Sequence, residues 1–295
     1  MKSVSESATV AGWEVARPGP AARADMAGFR CLGPDPVDQR LIPRPCVTLV
    51  LQFGAGSLLI EDATRQLRCG SLAAWPVPGA VRMRAARLGC VEVRVSPVDA
   101  HRVLGVCPAE LDGSVVSLED LWGRESSRIQ EQLGEARSWA DRFALTDALL
   151  AARCVAGRPV DPEVSQTWKR VLGSHGLVRV EGLAEAVGWS RRRLWARFRA
   201  QIGLSPKRAA KLVRFDHAVC RLVAGDTAAR IAADFGYADQ SHLHRDVVAF
   251  TGLTPAGLAR SPGLAVDDSA WAGGAYARIG AEPGDFSGPM PYRAV

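Results

Sequence analysis

Two short runs of hydrogen-bonding side chains in the last third of the sequence are arranged to do chemistry. One holds Ser190, Arg191, Arg192, Arg193, Trp195, Ala196 and Arg199, the other Gln240, Ser241, His242, His244 and Arg245. If each run is helical, Leu194 with Phe198, and Leu243 with Val247, fall at i and i+4 and turn inward. Arg192, Ala196 and Arg199 then face outward, with Arg193 and Trp195 on the flanks and Arg191 opening the basic run. In the second run Ser241 and Arg245 face outward, flanked by His242 and His244, with Gln240 at the N-terminal end. Side chains of these types can read the edges of base pairs. Lys207 and Lys211, between the two runs, suit phosphate.

The elements that must position them are written twice. Leu183, Ala184, Val187, Gly188 and Trp189 match Ile231, Ala232, Phe235, Gly236 and Tyr237 at a constant offset of 48 residues, an internal repeat. Each copy predicts helix, tight turn, helix, with Gly188 and Gly236 at the turn, where a positive φ strains any residue with a Cβ. Ser190 and Asp239 are placed to cap the second helices. Between the copies, Ser205-Pro206 opens a helix, Gly225 stops it, and Leu212, Phe215, Val219 and Leu222 form its apolar stripe. A single connecting helix of about 20 residues spans roughly 30 Å, close to the roughly 34 Å between successive major-groove faces.

These residues resemble the double helix-turn-helix domain of the AraC/XylS family of transcription regulators. The resemblance is carried by LAEAVGWSRRRLWARFRAQIG from Leu183 to Gly203, LSPK from Leu204 to Lys207, and GYADQSHLHRDVVAFTGLTP from Gly236 to Pro255. It implies that the second helix of each unit enters the major groove of double-stranded DNA, filling two adjacent grooves. It implies base-reading roles for Arg192, Trp195 and Ala196, and for Gln240, Ser241 and Arg245. Two positions depart from the family pattern. Val247 stands where Phe is usual, and no Ser, Thr or Asp caps the helix beginning near Glu181.

Charge supports the same partner. Residues 165–260 carry sixteen Lys and Arg against seven Asp and Glu, whereas the rest of the 295-residue chain is slightly acidic. A basic face beside a repeated reading motif favours nucleic acid over a membrane surface. No G-x-S-x-G, H-E-x-x-H, G-x-G-x-x-G or Walker sequence occurs, so nucleophilic, zinc, dinucleotide and phosphate chemistry lack a motif. The expectation is a non-enzyme with no cofactor and no metal. The seven cysteines (Cys31, Cys46, Cys69, Cys90, Cys107, Cys154 and Cys220) are scattered, which argues against a disulfide framework or structural zinc. Those in strands read as small apolar residues. No signal peptide is visible, and the longest uncharged run, Pro45 to Ile60, is too short to span a membrane. A cytoplasmic protein with free thiols is expected.

The overall expectation is an α+β chain. Residues 1–22 read as a disordered lead-in and 23–156 as a sensor or dimerisation domain. That domain is a small β-barrel or sandwich with strands at Val47–Phe53, Ser57–Glu61, Ser71–Trp75, Val81–Ala85 and Val91–Val95. AraC-type regulators commonly place such a cupin-like domain before the DNA-binding part. Helices are expected from Ser96-Pro97 to Gly105, in a short turn at Pro108–Leu111, and in a hairpin of Leu118–Leu133 with Trp139–Ala156, the last covering the barrel or another subunit. Gly157-Arg158-Pro159 reads as the linker, and Asp161-Pro162 as the cap of the helix that opens the all-α DNA-binding domain, 160–260. Residues 261–295 read as a disordered tail. Other expected partners are a small-molecule effector, RNA polymerase and a second copy of the chain, without a membrane. The competing readings are an enzyme or thiol-based repair protein tethered to DNA, and a non-specific architectural DNA binder.

Overall fold

The computed structural model describes residues 6–260, apart from residues 21, 55, 63–64, 77–78, 109–110 and 112–114, together with residues 270–271. Among the described residues eleven strands and eleven helices follow in order. The strands are β1 Glu6–Val10, β2 Trp13–Arg17, β3 Asp25–Cys31, β4 Val37–Leu41, β5 Val47–Gln52, β6 Leu58–Glu61, β7 Gln66–Cys69, β8 Leu72–Ala74, β9 Val81–Ala85, β10 Gly89–Val95 and β11 Val115–Ser117. The helices are α1 Pro97–Leu104, α2 Leu118–Trp122, α3 Arg124–Glu135, α4 Trp139–Ala156, α5 Pro162–Gly173, α6 Val180–Glu185, α7 Arg191–Ile202, α8 Pro206–Val223, α9 Ala228–Asp234, α10 Gln240–Thr251 and α11 Pro255–Ala259. The chain is α+β, with β-sheets first and a helical unit after them.

The strands form two antiparallel sheets rather than a closed barrel, so of the two expected forms the sandwich is the one present. One sheet runs β1-β2-β3-β10-β5-β8-β11, the other β4-β9-β6-β7. β10 is central, with Val93 paired to Met26 on one side and to Leu49 on the other. Its alternation divides the interior. Val91, Val93 and Val95 face a core shared with α1 to α4, whereas Cys90 joins Phe29, Val50, Leu58 and Met83 in the core between the sheets.

The lead-in is corrected, since Glu6–Val10 and Trp13–Arg17 are paired strands from Val10 with Trp13 outward. β3, β4, β7 and β11 were also not anticipated. The helix expected over Leu118–Leu133 is two helices, broken at Gly123, where φ is 56° and ψ is −133°. Ser117 caps the first of them, accepting from the Glu119 N–H. The Pro108–Leu111 turn is described only at its ends, where the Leu111 N–H donates to the Pro108 carbonyl.

α4 turns Trp139, Phe143, Leu149 and Leu150 into the chain's own core rather than toward another subunit. Gly28 makes this seat: a Cβ there would stand 2.3 Å from the Trp139 ring. Trp139 Nε1 then donates to Glu14 at 2.9 Å, and its ring meets Phe53 edge-on at 5.6 Å.

The linker is not a free tether. Val98 of α1 shares a core with Val160, Val164 and Trp168. Arg44 forms an ion pair of 2.8 Å with Asp216 of α8, both largely buried, and Arg40 donates to the Thr251 carbonyl at 3.5 Å. Asp161 precedes α5 as expected but does not cap it. Its carboxylate takes a bidentate pair from Arg197 of α7 at 2.7 and 2.8 Å, which ties α5 to α7 and holds the carboxyl below its ordinary pKa. No helix among the described residues is long and apolar enough to cross a membrane. The expected disordered tail lies outside the described residues, except Ala270 and Trp271.

Candidate nucleic-acid interface

The two helix-turn-helix units are built by the same local rules. Gly188 has φ +67° and Gly236 φ +63°. Just beyond each, the Trp189 N–H donates to the Ala184 carbonyl and the Tyr237 N–H to the Ala232 carbonyl, both at 3.0 Å. These bonds satisfy carbonyls that the ending helices leave open. Ser190 then accepts from the Arg193 N–H at 3.3 Å, and Asp239 from the His242 N–H at 2.6 Å. α6, as its sequence suggested, starts without a side-chain cap at Arg179.

Leu194 and Phe198, and Leu243 and Val247, are fully buried. Val247, where the resemblance implies a larger residue, is fully buried, and Phe250 of the same helix stacks on Phe215 of α8 at 4.3 Å. α8 has 18 residues, hence about 27 Å at 1.5 Å per residue. Its Ser205 cap and Pro206 start are as expected.

On α7, Arg191, Arg192, Arg193, Ala196 and Arg199 are exposed, and Trp195 is half-buried against the core. Arg193 lies over the Trp189 ring at 4.3 Å and Arg191 over Trp195 at 5.9 Å. On α10, Gln240, Ser241, His244 and Arg245 are exposed. His242 is drawn inward: its Nδ1 accepts from the Ala238 N–H at 3.4 Å and its ring meets Tyr237 edge-on. Lys207 is exposed, but Lys211 is held at 2.8 Å by Asp246, which is buried on α10 and also faces Arg214 and His242. The outward faces of α7 and α10 and Lys207 are therefore exposed, whereas Lys211 and His242 are engaged at the joint between α8 and α10. Arg208, in the first turn of α8, is exposed beside Lys207.

These lysines give a first prediction. Lys207→Ala should lower the slope of log affinity against log salt by about 1, as expected when one phosphate contact is lost. Lys211→Ala should leave the slope unchanged and lower the melting temperature. A slope change for Lys211→Ala would show that its pair with Asp246 opens on DNA.

A second prediction concerns His217 of α8, whose ring lies 4.5 Å from that of His175 and 6.0 Å from Phe235. Burial pushes its pKa below 6.5, the His175 ring acting the same way and Asp216 opposing. The unfolded chain therefore takes up a proton at a pH where the native chain does not. The stability is complete above about pH 6.5 and is lost as pH falls toward the native value. Melting temperature should fall on acidification, and less so in His217→Phe; parallel curves for the two proteins would refute this.

A cavity of about 160 Å³ opens between the two sheets, with Trp13, Phe29 and Met83 on its apolar wall and Arg44, Glu92 and Arg94 on its polar wall. Glu92 and Arg94 alternate with valines along β10, a pattern that in a half-buried strand turns the polar side chains to solvent. Instead Arg94 is 7% exposed, and Trp271 of the tail lies over its guanidinium at 3.9 Å. Cys46 and Cys90 also line this space, and burial raises both thiols, Cys46 to about 12; Cys69, buried nearby, rises to about 11. The described residues contain no group of three or more His, Cys, Asp or Glu placed to hold a metal ion.

Residues 183–261 match the family model for a helix-turn-helix domain. The C-terminal unit is a double helix-turn-helix domain of the AraC/XylS type. In structure the chain with this AraC-type domain is similar to ToxT from Vibrio cholerae, at 9% identity, over 79% of this chain and 97% of that one, with a TM-score of 0.47. It is also similar to the C-terminal domain of AraT, a response regulator from Geobacillus stearothermophilus, at 20% identity over 34% and 86% of the two chains, TM-score 0.32. The Drosophila melanogaster CENP-C cupin domain is similar at 14% identity over 32% and 81%, TM-score 0.23. A search of curated proteins gives no match.

Proposed function

We propose that the chain is a sequence-specific, DNA-binding transcription regulator of the cytoplasm, without enzymatic activity of its own, whose AraC-type domain seats α7 and α10 in adjacent major grooves. The observation that carries this reading is the pair of identically hinged, capped helices with exposed polar faces, joined by one helix of about groove-to-groove length. Phosphate contacts from Lys207 and the flanking arginines supply affinity, and the faces of α7 and α10 supply sequence choice. Selection of bound sites from a randomised duplex library tests this with the full chain. The expected result is a two-part site whose halves lie about 10 base pairs apart. Binding that fails to discriminate among sequences at fixed salt would support the architectural reading instead.

Control by a small molecule belongs to the same proposal. The cavity between the sheets carries both apolar area and an arginine wall, and Arg44 on that wall also pairs with Asp216 of the bridging helix. A ligand that competes for Arg44 shifts the joint between the two units. Candidate small molecules that bind there should raise the melting temperature in proportion to the logarithm of their excess over Kd, and change DNA affinity with it.

A further inference from the structure

The interface between the two units holds a thiol paired with a base. Cys107 Sγ stands 3.5 Å from His101 Nε2, while His101 Nδ1 stands 2.9 Å from the carbonyl oxygen of Arg158. A carbonyl oxygen only accepts, so the neutral ring carries its proton on Nδ1 and turns the Nε2 lone pair toward the thiol. This is the arrangement in which a cysteine becomes a nucleophile: a base within reach, itself oriented by a third group. A charged group on the next element is Arg197 of α7, which lies within electrostatic range of Cys107 and is held by Asp161 of the α5 start. Its positive charge favours the thiolate. Burial raises the thiols of Cys46, Cys69 and Cys90, which are buried, and of Cys154, which is half-buried, away from reactivity.

We propose that Cys107 is a modification site that takes up α,β-unsaturated carbonyl compounds, with His101 as its base. His101 Nε2 takes the S–H proton as sulfur forms a bond to the β-carbon. The C=C π pair moves toward the carbonyl to give an enolate, and the imidazolium returns the proton to the α-carbon. No group leaves and no oxidant is consumed, so the addition is completed by the pair alone. A peroxide would instead leave a sulfenic acid, for which a further thiol or reductant has to be supplied.

The location gives the adduct a consequence that rests on the DNA-binding reading. Pro108, the next residue, packs on Gly203 at the end of α7, where a Cβ would stand 2.9 Å from the Pro108 side chain. His101 at the same time holds the linker through the Arg158 carbonyl. Added bulk at Cys107 therefore separates α1 from α7 and disturbs the first reading helix.

The test uses substoichiometric N-ethylmaleimide on the full chain, with adducts located by peptide mass spectrometry. Cys107 is expected to label first among the seven cysteines. Its rate in the unsubstituted chain should fall by less than tenfold per unit as pH drops below the ordinary thiol value of about 8.5. His101→Gln should slow labelling at about pH 7 by at least about tenfold and recover at about pH 9.5, where the thiolate forms without a base. Equal labelling of Cys31, Cys107 and Cys220, or a fall of about tenfold per unit below about pH 8.5 in the unsubstituted chain, would overturn the site. The adduct should bind DNA at least about tenfold more weakly than the unlabelled chain, a difference of about 1.4 kcal/mol. Clean labelling at Cys107 with unchanged DNA affinity would overturn the coupling to α7, and an unlabelled chain that binds no DNA would mark a failure of the DNA-binding reading rather than of the thiol site.

Discussion

On the proposed docking, Arg192→Ala is expected to erase preference at one base position and Arg245→Ala at a second position about 10 base pairs away, each at a cost of about 1–3 kcal/mol. Both side chains are exposed, near the N-terminal end of α7 and at the middle of α10. Each stands on a helix whose opposite face is fully buried and whose start is capped, so neither can change its direction without unseating Leu194 and Phe198, or Leu243 and Val247. Arg245 Nε donates to the Ser241 carbonyl at 3.4 Å, a weak bond that a guanine O6 and N7 pair readily replaces. Because the two helices are separated by the α8 span, the losses should add, to about 2–6 kcal/mol in the double variant. Arg197→Ala is the matched control. It removes an exposed arginine of the same helix, but one engaged with Asp161, and should change stability without blurring any base. If Arg192→Ala and Arg245→Ala weakened all sites alike, both would be phosphate contacts; if they blurred the same position, two-groove docking would fail.

The reading domain was legible because its signals are local. A glycine at a positive φ, a Ser or Asp cap and an i, i+4 apolar pair each act within a few residues, and all occur twice, the glycine at an offset of 48 residues and the cap and apolar pair at 49. The sheet unit was legible only where strands are buried on one or both faces. β1 was missed because it is an edge strand with four of its five residues exposed, so it shows no alternation. Its hairpin turn, Ala11-Gly12, has φ of 48° and 80°, a geometry usually announced by Asn-Gly rather than Ala-Gly. Glu92 and Arg94 gave the polar half of a regular alternation, and sequence cannot distinguish solvent from a cavity wall closed by a second sheet. Asp161 and Lys211 were read by type alone, as a cap and a phosphate ligand. Partners 36 and 35 residues away, Arg197 and Asp246, decided otherwise. The His101 and Cys107 pair was invisible because its orienting group is a backbone carbonyl 57 residues along the chain.

Gly176→Ala is expected to destabilise the DNA-binding unit by about 2–5 kcal/mol, and the reason lies in the junction of α5 with α8. The chain leaves α5 through His175 and Gly176, both at positive φ, with the Gly176 N–H closing back on the Val171 carbonyl at 3.0 Å. Gly176 has φ +75°, where an L-residue costs about 1–2 kcal/mol. A Cβ there would also lie 2.2 Å from the Ala210 carbonyl oxygen and 2.7 Å from the Arg214 nitrogen, both backbone atoms of α8. Backbone within a helix cannot swing aside as a side chain does, so α5 must lift off α8, at a further cost of about 1–3 kcal/mol. At about 4–8 °C per kcal/mol for a domain of this size, the melting transition should drop by about 8–40 °C. Gly173→Ala and Gly182→Ala provide the opposite sign: both glycines are helical, a Cβ on either would meet nothing within 4 Å, and alanine should add about 0.5–1 kcal/mol. A Gly176→Ala protein melting within two or three degrees of its parent would mean that α5 does not brace the bridging helix. α8 sets the separation of the two reading helices, so a partial lift of α5 should weaken DNA binding even below the melting transition, by spoiling the fit to the second groove.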